Sequence, residues 1–469
     1  MKITIIGAGL SGCEAALQLA NAGWKVDLYE MRPHTKTPAH QTDLFAELVC
    51  SNSLKSNLLT TASGLLKAEM DILGCELLKI AREYSVPAGN AIAVDRFLFA
   101  NKVTFIIKNH KNINFINKEY TNLPSISIHQ NQISTDIQQN KENIHGDKDS
   151  DIIIACGPLI SDKLTKSLIE IVGDEHLYFF DAIAPIIDGE SIDLNKVFSQ
   201  SRYNKGLVEN IDDSNKKPSI DYINCPFDKD QYIKFVEALL TASKHEAKEF
   251  ENEFFNNLDF KFYENCLPIE ELARRGIDTL RFGVMKPVGL INPKTEKRPY
   301  AVIQLRAENG EKTAFNLVGC QTMLKYSEQK RIFSLIPGLE NAEFLRLGSI
   351  HRNTYLNTPE ICNPDFSLKI APHIRIAGQI AGVEGYVESI FSGLLTAKII
   401  MKQINYLPEE TISGQLWRYL TSTKDNFTPM NANFGLLPEI VMERKNKSLK
   451  KDLLSRRSID SMMKLCQNE

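Results

Sequence analysis

The chain has 469 residues, 43% of them hydrophobic, and a formal net charge of −3. That length exceeds one ordinary hydrophobic core and predicts two or three domains. The slight negative balance argues against nucleic-acid binding through overall charge, while leaving room for a local basic groove. No uninterrupted apolar run approaches the ~20 residues that span a bilayer, so a membrane segment is excluded and a cytoplasmic setting expected. Nine scattered cysteines without a C-x-x-C pair suggest neither a zinc knuckle nor a redox pair, and no metal site is expected.

The first elements carry the strongest signal. An apolar, β-branched run, Met1–Ile6, enters Gly7-Ala8-Gly9-Leu10-Ser11-Gly12, and a helix-like segment, Cys13–Ala20, leaves it. Gly7, Gly9 and Gly12 make the G-x-G-x-x-G spacing: the first permits a tight turn, the second lets backbone approach a pyrophosphate, and the third lets the helix pack on the sheet. The helix N-terminus offers unpaired N–H groups to the phosphates. A second strand, Lys25–Glu30, ends on Glu30, about 20 residues past the glycines, where an acidic side chain binds a ribose hydroxyl. Strand, glycines, helix, strand and acid together predict a dinucleotide site formed by residues 7–12 and Glu30.

Farther along, loop chemistry at 31–40 precedes a helical region near Leu65–Ala81. Residues 109–150 read as an antiparallel hairpin region with long polar turns. Asp151–Pro158 reads as a buried parallel strand returning beside the first. Residues 185–330, with an amphipathic segment at Phe235–Phe255, read as an inserted domain. The nucleotide-domain pattern then resumes: His373–Gln379 is a short strand, and Gly382–Tyr386 opens a helix, Val387–Met401. Gly378 and Gly382 suit close backbone approach to a cofactor. First and last segments that rebuild one sheet are what a discontinuous FAD-binding domain requires, so flavin is expected as the tight cofactor in preference to NAD. The predicted fold is α/β, a discontinuous Rossmann-like FAD-binding domain (1–184 and 331–469, the latter with a C-terminal helix) with an inserted α+β domain (185–330). The basic and apolar tail, Lys445–Arg457, reads as the solvated face of that helix, with an RNA-backbone contact as the second reading.

Several blocks resemble the folate- and FAD-dependent tRNA (uracil-5-)-methyltransferases: Glu47-Leu48-Val49-Cys50-Ser51-Asn52-Ser53-Leu54-Lys55, Tyr222-Ile223-Asn224-Cys225-Pro226, Asp278–Gly283, Met285–Leu290, His351–Thr354, Ala377–Gln379, Gly382–Ser389 and Pro429–Gly435. They run in family order over most of the chain. The resemblance implies methylation of C5 of uridine-54 in the T loop of tRNA. The carbon would come from 5,10-methylenetetrahydrofolate, with bound FAD and with NADPH or NADH as reductant. A sister family that modifies the wobble uridine shares the FAD architecture. Cys156 stands where this family's flavin-side strand usually carries Thr.

Carbon 5 of uracil is a poor nucleophile until a group adds to C6, and a thiolate does this well. By resemblance Cys225, in a polar loop of the inserted domain stiffened by Pro226, is the candidate for that addition. Cys50, beside the isoalloxazine, would handle the one-carbon unit. Which of the two attacks the base stays open, and each also has a plain reading as a packed thiol; Cys266 is read as packed. Arg281, Lys286 and Arg274-Arg275 are candidates for folate glutamate or tRNA phosphate, or are simply solvated. His351 and Arg352 lie against flavin or RNA, or are structural. Tyr222, Phe227 and Tyr203 are candidates to support a flipped base.

Overall fold

The computed structural model describes residues 1–37, 39–124, 151–173, 176–204, 222–244, 267–423, 427–440 and 447–467, without the side chains of 176–183, 204, 349–353 and 447–448. Cys266 and the later part of the Phe235–Phe255 segment lie outside the described residues, as do the side chains of His351 and Arg352.

Five short strands form an all-parallel sheet. Lys2–Ile6 lies at its centre, between Lys25–Tyr29 and Asp151–Ile154; Ile113–Ile116 and Ile374–Ile376 are the two edges. Such a sheet is covered on both faces at its centre, which is why residues 152–154 read as a continuous apolar run, while the strands Lys25–Tyr29 and Ile374–Ile376 alternate. Ile3, Ile5, Ile153 and Ile154 have no exposure at all. The strand from residues 374–376 joins the one from 151–154, so the two ends of the chain do build one sheet. The segment Ile113–Ile116 differs from the expected hairpin: it pairs in parallel with Val26–Tyr29, and residues 125–150 are outside the described set. Its polar neighbours imitate hairpin alternation because an edge strand meets water along one side.

The second sheet is antiparallel and six-stranded, in the order Phe198–Ser199, Tyr222–Phe227, Ala301–Ala307, Ala314–Leu317, Ile186–Asp188 and Phe344–Arg346. The helices Lys229–Thr241 and Ile269–Arg274 pack on it through Tyr232, Phe235, Val236 and Ile269. This inserted unit runs to about residue 346 rather than 330. Ile332, Phe333, Ile336 and Leu339 fill its core, and the strand that follows completes its edge. A long antiparallel pair, His176–Ile183 with Ser349–Leu356, carries the chain out of the parallel-sheet domain and back.

Buried carboxylates fasten helix starts in the parallel-sheet domain. The first N–H groups of a helix lack internal partners. Glu14 accepts from the N–H groups of Glu76 and Leu77 at 3.1 and 2.8 Å. Glu69 likewise accepts from Ile412 and Ser413 at 2.9 and 2.7 Å, and from the hydroxyl of Ser458 in the C-terminal helix Lys447–Gln467. Burial pushes both carboxyls up, while these donors pull in the opposite direction. The C-terminal helix is thus docked on the domain through its small polar residues. Among the described residues no helix is long and apolar enough to cross a membrane.

Lys67 is a buried cation in this framework, donating to the carbonyl of Leu54 at 2.8 Å. Burial pushes its ammonium down to about 7. In the unfolded chain a lysine holds its proton to about pH 10.4, so between these values the unfolded state binds more protons and stability rises with pH. Lys67→Met should remove that slope. In urea melts the variant should gain most on the wild type near neutral pH, with the gap closing toward about pH 10; a gap independent of pH would contradict the titration.

Candidate active site

The glycine turn forms where the central strand meets the helix Leu10–Asn21. Gly7 has φ 103°, and a Cβ there would lie 2.6–2.7 Å from backbone atoms of Cys156 and Ala155. A Cβ on Gly12 would lie 1.9 Å from the Gly7 carbonyl oxygen. These two glycines are demanded by the protein's own packing. Gly9 is different: a Cβ there would meet no protein atom within 4 Å. It borders a pocket lined also by Gly7, Tyr29, Glu30, Arg32, Tyr120, Cys156 and Ser161. An open face beside a helix N-terminus fits a pyrophosphate, so the residues present suit a dinucleotide such as FAD.

Glu30 closes the turn. Its carboxylate accepts from the Ala8 N–H at 3.1 Å and from Arg32 through the backbone N–H, Nε and Nη2. Burial alone would lift this carboxyl, but Arg32 and the two backbone donors outweigh it and hold it below the usual carboxylate range. Leu10 and Ser11 form the first helical turn and pack inward, Ser11 against Gly378 and Gly393. Close approach of this helix to Tyr386–Ile400 therefore rests on Gly393, where a Cβ would lie 2.2 Å from the Ser11 carbonyl oxygen.

A second constellation surrounds Cys50, which is half-buried. Its sulfur lies 2.9 Å from the Tyr386 hydroxyl, at the start of the helix Tyr386–Ile400. That hydroxyl also accepts from the N–H groups of Cys50 and Ser51 at 2.8 and 3.3 Å. With its lone pairs so engaged, the phenolic proton points to sulfur. Burial, then the neighbouring Cys50, push the Tyr386 phenol well above its ordinary value, so it remains a donor at neutral pH.

Three arginines hold the same segment. Arg96 donates to the carbonyl of Leu48 at 2.7 Å, Arg346 to that of Val49 at 2.8 Å, and Arg306 to Ser51 Oγ at 2.7 Å and Asn52 Oδ1 at 2.8 Å. Glu308 pairs with Arg96. Tyr386 belongs to a block singled out in the sequence. The arginines do not, because they come from three distant segments with no spacing that links them.

A family model described as Glucose inhibited division protein A matches residues 2–408. Proteins named methylenetetrahydrofolate--tRNA-(uracil-5-)-methyltransferase TrmFO from Brevibacillus brevis and Bacillus subtilis are 46% and 45% identical to the chain. These alignments cover 99% and 98% of it, and 98% and 97% of those proteins. The chain belongs to the TrmFO family. The solved structure of Aquifex aeolicus GidA matches with a TM-score of 0.65 at 16% identity, covering 100% of this chain and 75% of that one; at that identity the likeness concerns the fold.

With TrmFO membership established, the remaining sequence-derived candidates divide by location. Gly378 (φ 84°) sits against Ser11, close to the glycine turn. The space a Gly382 side chain would take is filled by the Phe427 ring, so this glycine serves packing on that side. Cys225 is not in a polar loop. It lies on the strand Tyr222–Phe227, opposite Ile303, with no exposure. Alternation puts Ile223, Cys225 and Phe227 on the core face, and burial pushes the thiol far above its ordinary value. Phe227 is buried with it, and Tyr222 donates to the Ala88 carbonyl, whereas Tyr203, Phe282 and Lys286 are exposed. Cys156 borders the pocket beside Gly7 and Glu30, its thiol pushed up to about 12 by burial.

Two outcomes test these placements. Gly9→Ala should fold normally but lose flavin on gel filtration, whereas Gly12→Ala should lose both flavin and its cooperative melt, since its methyl has nowhere to go. Brief iodoacetamide treatment of native protein followed by peptide mapping should label Cys50 well before Cys225 or Cys320; equal labelling of Cys225 would overturn its core placement.

Proposed function

We propose that the protein is a cytoplasmic flavoenzyme that methylates C5 of uridine-54 in the T loop of tRNA. Its carbon donor would be 5,10-methylenetetrahydrofolate, its bound cofactor FAD, and its reductant NADPH or NADH. Relatives named for methylenetetrahydrofolate-dependent tRNA uracil-5 methylation align over nearly the whole chain. The observation that carries the mechanism is Cys50, a half-buried thiol with its sulfur facing a protonated tyrosine and the carbonyls of the two residues before it held by arginines. Residues 7–12 would take the FAD pyrophosphate and Glu30 its ribose, with Gly378 alongside. When bound, FAD would supply the redox and one-carbon chemistry that side chains lack.

The chain's own part centres on the base. Cys50 Sγ, as thiolate, adds to C6 of uracil; the new C–S bond drives the ring π-electrons toward C5 and O4, giving a nucleophilic enolate. After C5 has gained its carbon, loss of the C5 proton to solvent and expulsion of the Cys50 thiolate restore the C5–C6 double bond, and the reductant held as FAD would supply the hydride equivalent that takes the carbon from methylene to methyl. The Tyr386 O–H, donating to sulfur, stabilises it before addition and again as it leaves. The arginines fix the loop, so that sulfur approaches C6 in one orientation. Cys225 is the weaker candidate for this attack, because from its strand reaching a base would require opening the core that Ile303, Leu305 and Phe227 close around it.

Purified protein incubated with unmodified tRNA, NADPH and methylenetetrahydrofolate carrying a labelled methylene should yield label in 5-methyluridine at position 54. Label at the wobble position, or none, would end this reading. Cys50→Ala should abolish product. Tyr386→Phe should slow turnover by about 10- to 100-fold, the worth of one hydrogen bond to a charged group, and Cys225→Ala should retain turnover.

A further inference from the structure

Sulfur at Cys50 explains how a uracil is attacked, not how the RNA carrying it is held. We propose that residues 274–298 of the inserted domain, together with Tyr203, form the surface on which the RNA strand flanking the target nucleotide lies; this rests on the tRNA reading above.

Charge is the first observation. Lys and Arg number 55 against 58 Asp and Glu in the whole chain, yet residues 274–298 hold seven basic residues and two acidic ones. The local excess runs against the overall balance, as expected for a dedicated polyanion contact. Apolar exposure in the same place is the second. Phe282 is 74% exposed and Tyr203 63%, with Val288 and Ile291 also open. The Arg281 guanidinium lies 4.1 Å from the centre of the Tyr300 ring and 5.4 Å from that of Phe282. Exposed rings interleaved with cations are the chemistry of single-stranded nucleic-acid binding, in which bases stack and phosphates pair.

Position is the third. Arg202 fastens the patch, donating through Nη1 to the carbonyls of Lys286 and Val288 at 2.7 and 2.9 Å. Its Nε donates to Gln304 at 3.0 Å, and the Tyr203 N–H donates to the Gly289 carbonyl at 2.8 Å. Gln304 and Arg306 share one face of the strand Ala301–Ala307, and Arg306 reaches Ser51, next to Cys50. The patch is therefore rigidly tied to the strand that ends at the nucleophile.

The test uses full-length holoenzyme. Lys286→Glu/Arg298→Glu, both at exposed positions, should raise the KM for tRNA about tenfold or more near physiological salt, with kcat at saturating tRNA within about twofold. The slope of log binding constant against log salt should fall by about 0.7 for each phosphate that is no longer neutralised. Phe282→Ala should raise KM about 5- to 100-fold by loss of stacking and leave the salt slope unchanged. An active wild type whose double variant keeps the wild-type KM and salt slope overturns the surface alone. A wild type that binds no tRNA overturns both the surface and the reading beneath it.

Discussion

Asn52 is fully buried, and an amide in that position must find protein partners for its polar atoms or destabilise the fold. It finds three. Its Nδ2 donates to the carbonyls of Val94 and Ala307 at 3.0 Å each, and its Oδ1 accepts from Arg306 Nε at 2.8 Å. Val94 ends a strand of a small antiparallel sheet that shares its core with Ile3 and Ile5 of the parallel sheet, while Ala307 and Arg306 belong to the inserted sheet. One side chain thus joins both domains two residues from Cys50, and the register of the inserted sheet sets where the sulfur sits. An isolated flavin domain would keep Cys50 and lose the geometry around it.

The arginines that complete this junction carry more charge than their partners cancel. Arg96, Arg306 and Arg346 converge on residues 48–52, with Glu308 as the carboxylate paired to Arg96. Burial, then the neighbouring Arg96, push Arg346 down to about 10, still protonated at neutral pH. Its Nε and Nη2 are buried without an acceptor among the described residues. Assembling like charges so closely is costly, and main-chain carbonyls of Leu48 and Val49 offset part of that cost. Surroundings with excess positive charge stabilise a neighbouring anion, the form of sulfur that the proposed addition to uracil requires.

What is legible in the sequence follows from the range of each constraint. The glycine turn is readable because its demands are local: Gly7 and Gly12 crowd backbone within a few residues of themselves or of one adjoining strand. The late return of the chain to the first sheet is readable for a similar reason, since the short strand Ile374–Ile376 runs straight into glycines at 378 and 382 that hold positive φ. Gly382 reads as facing a cofactor because what it accommodates, the Phe427 ring, lies 45 residues away. Cys225 reads as a loop residue for another reason. Asn224 and Pro226 are turn-formers by composition, but here Asn224 is bonded to the carbonyls of Phe198 and Gln200, so the strand continues through it. The alternation of Ile223, Cys225 and Phe227 carries the correct information. The arginine cluster, from Arg96 to Arg346, spans 250 residues of sequence with no periodicity, and only the assembled domains bring it together.

The same geometry constrains how a structured RNA can be a substrate. For the proposed attack by Cys50, a uracil stacked in its loop cannot present C6 to a half-buried sulfur, so the base would have to leave the stack, at a cost of a few kcal/mol. Nothing about the uracil alone can supply that energy selectively, because the contacts made by the base exist only after it has moved. Contacts to the neighbouring backbone form first and are indifferent to the base. From Arg306 to Val302 the strand spans about 13 Å at ~3.3 Å per residue, and the basic segment lies near its far end, where the Met285 carbonyl accepts from the Val302 N–H. That separation is on the order of two nucleotides of an extended strand. In the proposed reading, anchoring phosphates at that distance would leave the nucleotide at Cys50 free to rotate while holding its neighbours still, so the energy of base extrusion would be drawn from a surface that the chemistry itself never touches.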